Sequence, residues 1–221
     1  MNLAARLALP LATVALAFAL PAAAQTRTET RNVSGFTSLG IAAPVHVDLS
    51  IGAQESLVLE GDADTLAKIE TYVENGTLHI KRKRDTEDWN LGWKKEIRAR
   101  VTAKSIRAIA IAGSGDVKAA QLSGESLALN ISGSGDIAIG GGKVDNLAIH
   151  IAGSGDVKAP KVDAQAVSVH ISGSGDALVW ARQSLAVQVA GSGDVRYYGD
   201  PAVSKSVMGS GSVRRVGPAS S

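Results

Sequence analysis

From about residue 105 the chain repeats one arrangement of apolar and polar positions. Ile109 and Ile111, Leu129 and Ile131, Ile149 and Ile151, Val169 and Ile171, and Val187 and Val189 are aliphatic pairs, each split by one residue. The intervening residues are Ala110, Asn130, His150, His170 and Gln188. Period-two alternation rich in β-branched residues predicts a strand with one buried face. Gly-Ser-Gly-Asp follows each pair, beginning at Gly113, Gly133, Gly153, Gly173 and Gly191, and a degenerate Gly-Ser-Gly-Ser begins at Gly209. These starts lie 20, 20, 20, 18 and 18 residues apart. A second short strand opens after each copy, with Val117, Ile137, Val157, Ala177, Val195 and Val213 facing inward. A looser third apolar site follows at Leu122, Val144 and Val162.

One unit therefore reads as strand, tight corner, strand and looser return. A unit this short cannot bury its own aliphatic face, but stacked copies share one continuous core. The expected fold is all-β, a β-helix (β-solenoid) with rungs of roughly 20 residues marked by the GSGD corners. A leucine-rich repeat has a similar period, but its Leu and Asn signature is missing, and a propeller blade needs about twice the length. An antiparallel sandwich gives no reason for near-identical corners at fixed spacing.

Upstream, Val45-His-Val-Asp-Leu49 alternates and Leu57-Val-Leu59 runs apolar. Glu74-Asn75-Gly76-Thr77 is a turn signal before Leu78-His-Ile80. Residues 64–72 fit one short helix or another strand. With no Pro/Gly/Ser linker dividing the chain, residues 25–105 read as degenerate rungs of the same solenoid, 106–216 as the GSGD-repeat β-helix, and 217–221 as a frayed tail.

Arg31-Asn-Val-Ser-Gly-Phe36, the Glu74-Asn-Gly-Thr-Leu78 turn and the serial GSGD corners, behind an export signal, together resemble the GIN domain family, also described as auto-transporter adhesin heads. The resemblance covers nearly all of the chain after the signal, and the GSGD series is its specific part. It implies a right-handed single-stranded β-helix and an adhesin-like role. No carboxy-terminal barrel of alternating strands ending in an aromatic is visible, so self-secretion as an autotransporter is not expected.

The first 24 residues read as a signal peptide: Arg6, an apolar run from Leu7 to Leu20, then Ala22-Ala23-Ala24 before Gln25. The run is shorter than the roughly 20 apolar residues that span a bilayer, and Pro10 interrupts it. An exported product, periplasmic, cell-surface or secreted, with no transmembrane segment after cleavage, is the expectation. The sequence of 221 residues contains no cysteine, which excludes disulfides, thiol chemistry and a lipidated cysteine. A net charge of +2 points to no nucleic-acid partner.

Catalytic motifs are absent. No G-x-S-x-G elbow occurs, and Gly140-Gly-Gly142-Lys143 lacks the spacing and Ser/Thr of a phosphate loop. The GSGD glycines Gly113, Gly115, Gly133, Gly135, Gly153, Gly155, Gly173, Gly175, Gly191 and Gly193 read as structural corners, reaching φ > 0 without steric cost. Asp116, Asp136, Asp156, Asp176 and Asp194 should stack along one edge and accept backbone N–H bonds. A calcium ladder is the alternative role for that row. His150 and His170 continue a solvated polar row with Asn130 and Gln188, and His46 and His79 show no partner in the sequence.

The segment 81–100 departs from the aliphatic pattern, with eight basic and four acidic residues and two of the three tryptophans. Trp89, Trp93, Arg82, Arg84 and Lys94 are candidate binding residues, because aromatic faces beside cations suit sugars and anionic surfaces. Trp180 and the pair Tyr197-Tyr198 are expected to pack or to cap the carboxy end. No cofactor is expected. The function indicated is an exported structural or adhesin-like binding module of the cell envelope, its partner unread, with a glycan or envelope surface in view. The alternatives are a carbohydrate-active enzyme on a β-helix scaffold and an envelope accessory that binds another exported protein.

Overall fold

The computed structural model of the protein describes residues 26–83 and 96–218. The expected signal peptide, residues 84–95 and residues 219–221 lie outside them. Seventeen strands and one short helix are present among the described residues. The regular part begins with β8 (Ala108–Gly113) and β9 (Asp116–Ala119). It continues through β10 (Gly124–Gly133), β11 (Ile137–Ile139), β12 (Gly142–Gly153), β13 (Val157–Gly173) and β14 (Ala177–Gly191). It ends with β15 (Val195–Tyr198), β16 (Ala202–Gly209) and β17 (Val213–Gly217). Each strand pairs in parallel with its equivalent one rung away: Ile131 sits against Ile111 on one side and Ile151 on the other, and Ile137 against Val117 and Val157. The protein is a β-solenoid of about six turns.

The alternation sets the faces. The ten aliphatic positions before the corners are no more than 2 % exposed, while His150, His170 and Gln188 face solvent. Leu122, Val144 and Val162 complete the interior on the return side. No polar or charged residue is buried among the described residues, so this core is held by apolar stacking with no internal polar network.

The amino-terminal part is laid down out of spatial order. There β2 (Ser38–Ala42) and β3 (Val45–Ile51) form a rung directly against β8 and β9. The chain then moves outward, and β6 (Thr77–Arg82) and β7 (Ile97–Ala103) stack in parallel on the far side of that rung. Antiparallel strands close the stack beyond them, unlike the uniform rungs expected from the sequence. One is β5 (Ile69–Glu74), paired with β6; the others are β4 (Ser56–Asp62), paired with β7, and β1 (Thr26–Arg31), paired with β4. The reversal at β5–β6 follows from Asn75 and Gly76, whose φ values of 50° and 72° make the two-residue turn that suits a hairpin. Residues 64–72 realise both readings, a single helical turn α1 (Ala63–Leu66) capped by Asp62 and then β5. Phe36, Leu57, Leu59, Leu66 and Ile69, each at most 1 % exposed, plug this end with apolar side chains.

At the other end, Gly217 belongs to β17 and its carbonyl accepts the Gly199 amide at 3.1 Å. Gly217, expected to begin the tail, is therefore part of the last rung.

The two corner glycines are required for different reasons. Gly153, with φ of 134°, occupies a conformation that L side chains rarely adopt. Gly155 does not have positive φ, contrary to the sequence-based explanation. A Cβ there would lie 2.1 Å from the Gly135 carbonyl oxygen and 2.9 Å from Ile131 Cγ2. The backbones of successive rungs approach so closely that no side chain fits between them.

Ile151→Ala should cost roughly 2–5 kcal/mol in chemical denaturation, and His150→Ala less than about 0.5 kcal/mol. Equal costs would overturn the assignment of faces. Gly155→Ala should cost roughly 1–3 kcal/mol by overpacking, although its backbone is unstrained.

Candidate functional site: the corner edge and its amino-terminal end

In the corners that begin at Gly133, Gly153 and Gly173, the amides after the first glycine are paired to the preceding rung. The carbonyl of the first glycine accepts two bonds: Ser154 and Gly155 donate to Gly133 O at 2.9 and 3.2 Å, and Ser174 and Gly175 to Gly153 O at 2.9 and 3.2 Å. The aspartate serves the fourth position with its side chain. Asp136 N donates to Asp116 Oδ1 at 2.9 Å, Asp156 N to Asp136 Oδ1 at 2.9 Å, Asp176 N to Asp156 Oδ1 at 3.0 Å and Asp194 N to Asp176 Oδ1 at 2.9 Å. The following strand amide returns the bond, as Ile137 N donates to Asp156 O at 2.9 Å. Asp116, Asp136, Asp156, Asp176 and Asp194 thus form a ladder in which each carboxylate accepts the next rung's amide.

Like charges stacked this closely repel unless compensated. Beyond these amide bonds, cations compensate part of the row: Lys158 Nζ lies 3.3 Å from Asp156 and Arg196 lies 3.9 Å from Asp176. No cluster of three or more His, Asp or Glu side chains among the described residues is arranged to hold a metal ion. The ladder ends at Ser212, whose amide and hydroxyl both donate to Asp194 Oδ1 at 2.8 Å. These two bonds hold the Asp194 carboxyl below its ordinary value, with lesser help from Arg214 and Arg196.

At the amino-terminal end the corner edge changes character. Ile80, Ile41 and Ile111 are stacked in register, as are Arg98, His46 and Asp116 beyond the corner. Asp116 lies five positions after Ile111 and His46 five after Ile41, but Arg98 lies eighteen after Ile80. The basic, tryptophan-bearing segment therefore links two strands, β6 and β7, whose equivalents on the inner rungs are joined by a tight corner. Of the candidate binding residues, Arg84, Trp89, Trp93 and Lys94 lie outside the described residues. Arg82 closes β6 and is half-buried, and Lys83 N donates to Lys68 O at 2.9 Å. Lys81 is engaged on the hairpin, 4.6 Å above the Tyr72 ring and 3.6 Å from Glu70, and both neighbours raise its pKa.

Where the segment rejoins the solenoid there is a shallow polar pocket lined by His46, Asp48, Glu96, Arg98, Asp116 and Lys118, with Val47. His46 Nδ1 lies 2.9 Å from Asp116, the first carboxylate of the ladder, and Nε2 lies 3.6 Å from Glu96, which Arg98 meets at 3.3 Å. Basic and acidic side chains are interleaved around the pocket, and no serine, threonine or tyrosine is among the described residues that line it. The partners of His46 were not visible in the sequence because Asp116 reaches it across the out-of-order rungs. His79 stacks on Tyr72 at 4.9 Å, its register partner across the β5–β6 hairpin. Of the later aromatics, Tyr197 packs against the core, and Trp180 pairs in register with Tyr198 on the outer face with Arg182 5.7 Å from its ring.

A stack of parallel rungs with glycine-aspartate corners defines the molecule as a β-solenoid of the GSGD-cornered class. The chain belongs to the family described as "Putative auto-transporter adhesin, head GIN domain", which matches residues 35–201. Among solved structures it is similar to a putative adhesin from Bacteroides fragilis, at 20 % identity and TM-score 0.72, covering 87 % of this chain and 97 % of that one. A putative adhesin from Parabacteroides distasonis gives 18 %, 0.57, 87 % and 97 %, and a putative lipid binding protein from the same species 24 %, 0.52, 86 % and 96 %. At these identities the likeness is one of fold. No curated protein matches. No helix among the described residues is long and apolar enough to cross a membrane.

Asp156→Ala should cost about 1–3 kcal/mol by leaving the Asp176 amide unpaired, whereas Asp156→Asn, which keeps the acceptor, should cost less. A melting temperature that falls with chelator and returns with calcium would instead make the row a metal site. Because the Asp194 pKa is lowered on folding, its contribution is complete above the unfolded value of about 4 and disappears as pH falls through the lower folded value. Ser212→Ala should therefore destabilise at pH 7, and the difference from the parent chain should shrink near pH 3. An equal difference at both pH values would contradict this coupling.

Proposed function

We propose that the protein is an exported, non-catalytic, adhesin-like binding module, with its ligand engaged at the amino-terminal corner edge by Trp89, Trp93, Arg82, Arg84 and Lys94. The carrying observation is the site of the long segment. The repeated rungs take five positions from the last inward aliphatic to the corner aspartate, as from Ile111 to Asp116, whereas eighteen run from Ile80 to Arg98, and that stretch carries two of three tryptophans with a cluster of cations. An insertion at a corner leaves the stacked strands undisturbed, so it is free to vary for recognition. Tryptophan with arginine and lysine suits a glycan or another anionic envelope surface. Membership in a family named for adhesin heads supports a binding role, and the signal-like first 24 residues support export.

The double change Trp89→Ala, Trp93→Ala should leave the β circular dichroism signal and melting temperature intact. It should weaken capture of envelope glycan by purified protein at least tenfold. Undiminished capture would remove this segment as the site, and loss of the β signal would make the tryptophans part of the core.

A further inference from the structure

The two ends of the solenoid are finished differently. The amino-terminal end carries antiparallel strands and an apolar plug. At the carboxy-terminal end, β16 pairs with β14 on one side and has no partner strand on the other among the described residues. Such an edge offers unpaired N–H and C=O groups in the geometry that accepts a further strand. The Gly209 corner also keeps the stackable form, with φ of 128° and Ser210 donating to Gly191 O at 3.0 Å. At β16 and its corner, the backbone keeps the form of the rungs that do carry a neighbour.

The side chains do distinguish it. Val203, Lys205 and Val207 stand in register with the buried Leu185, Val187 and Val189, so they occupy the inward positions of the last rung. Val203 and Val207 are 40 % and 37 % exposed, and the residue between them is a lysine. On the second face, Arg215 stands in register with Tyr197, again at an inward position. It folds across the end, its Nε donating to the Gly199 carbonyl and its guanidinium 3.7 Å from Asp200. At the corner, Ser212 replaces the aspartate whose carboxylate would accept the next rung's amide. The positions that enable stacking are thus changed together in this one rung.

We infer that the carboxy-terminal rung is a built-in terminator that keeps the bare edge from pairing with the same edge of a second copy of this chain. Burying Lys205 under another rung would leave a charge in an apolar column without a partner, and an antiparallel edge pair would set two lysines near one another. Arg215 adds the same obstacle on the neighbouring face, and Ser212 withdraws the acceptor. The exposed valines are tolerated because the lysine between them makes their burial against a like copy unfavourable.

The test is the association state of the full mature chain by size exclusion with light scattering across a hundredfold concentration range. Lys205→Val should shift the population from single chains to end-to-end pairs at least tenfold more readily than the parent. Lys205→Glu, which keeps a charge at the inward position, should stay single. Adding Arg215→Val and Ser212→Asp to Lys205→Val should extend the association. The inference is overturned if folded Lys205→Val remains single throughout, if Lys205→Glu associates equally, or if the parent chain already pairs through β16. Should the triple variant fail to fold, the single Lys205→Val variant, at an already exposed site, carries the test alone.

Discussion

The structure depends on one spacing. Parallel rungs lie about 4.8 Å apart, and at the corner the backbones must keep that spacing while turning. A corner with side chains between rungs would push them apart, and a corner with unpaired amides would leave polar groups unsatisfied at every turn. Gly-Ser-Gly-Asp meets both demands. The first glycine supplies the left-handed backbone and a carbonyl that accepts two amides. The second glycine removes the Cβ that would strike the carbonyl below. The aspartate supplies an acceptor for the remaining amide. With the corner fixed, the aliphatic pairs on either side fall into columns and the core follows.

This is why the repeated half was legible in the sequence. The spacing of the corners fixed the rung length, and the alternation around Asn130, His150 and His170 fixed which residues faced inward. The part that was not legible is where contact order overrides chain order. The sequence shows β3 and β6 as two separate strands, and nothing local says that the rung of β2 and β3 lies between β6 and β7 on one side and β8 and β9 on the other. The pocket at His46 depends on that crossover, because its partners Asp116 and Glu96 come from β9 and the approach to β7. Positive φ does not explain the second corner glycine, since a close approach between backbones leaves no mark in a single rung's dihedral preferences. The candidate binding residues stand out by composition, but that they lie between two strands which a tight corner joins on the inner rungs required the register.

The two ends show how a repeating fold is made finite. At the amino end, chain reversal supplies antiparallel strands and apolar side chains that cover the first rung. At the carboxy end, substitutions within an otherwise regular rung limit further stacking. Both spare the middle, where each rung supports the next. The recognition proposed for the amino-terminal corner edge fits this economy, since a connection between strands can be lengthened without altering the columns on either side of it.

Amide hydrogen exchange at the corner aspartates tests the central claim most directly. If carboxylate-to-amide bonds hold the stack, the Asp136, Asp156, Asp176 and Asp194 amides should exchange as slowly as the strand amides of Ile137, Val157 and Ala177 beside them. Rapid exchange at the aspartates, with the strands still protected, would show that the corners are open turns and that the core alone sets the spacing.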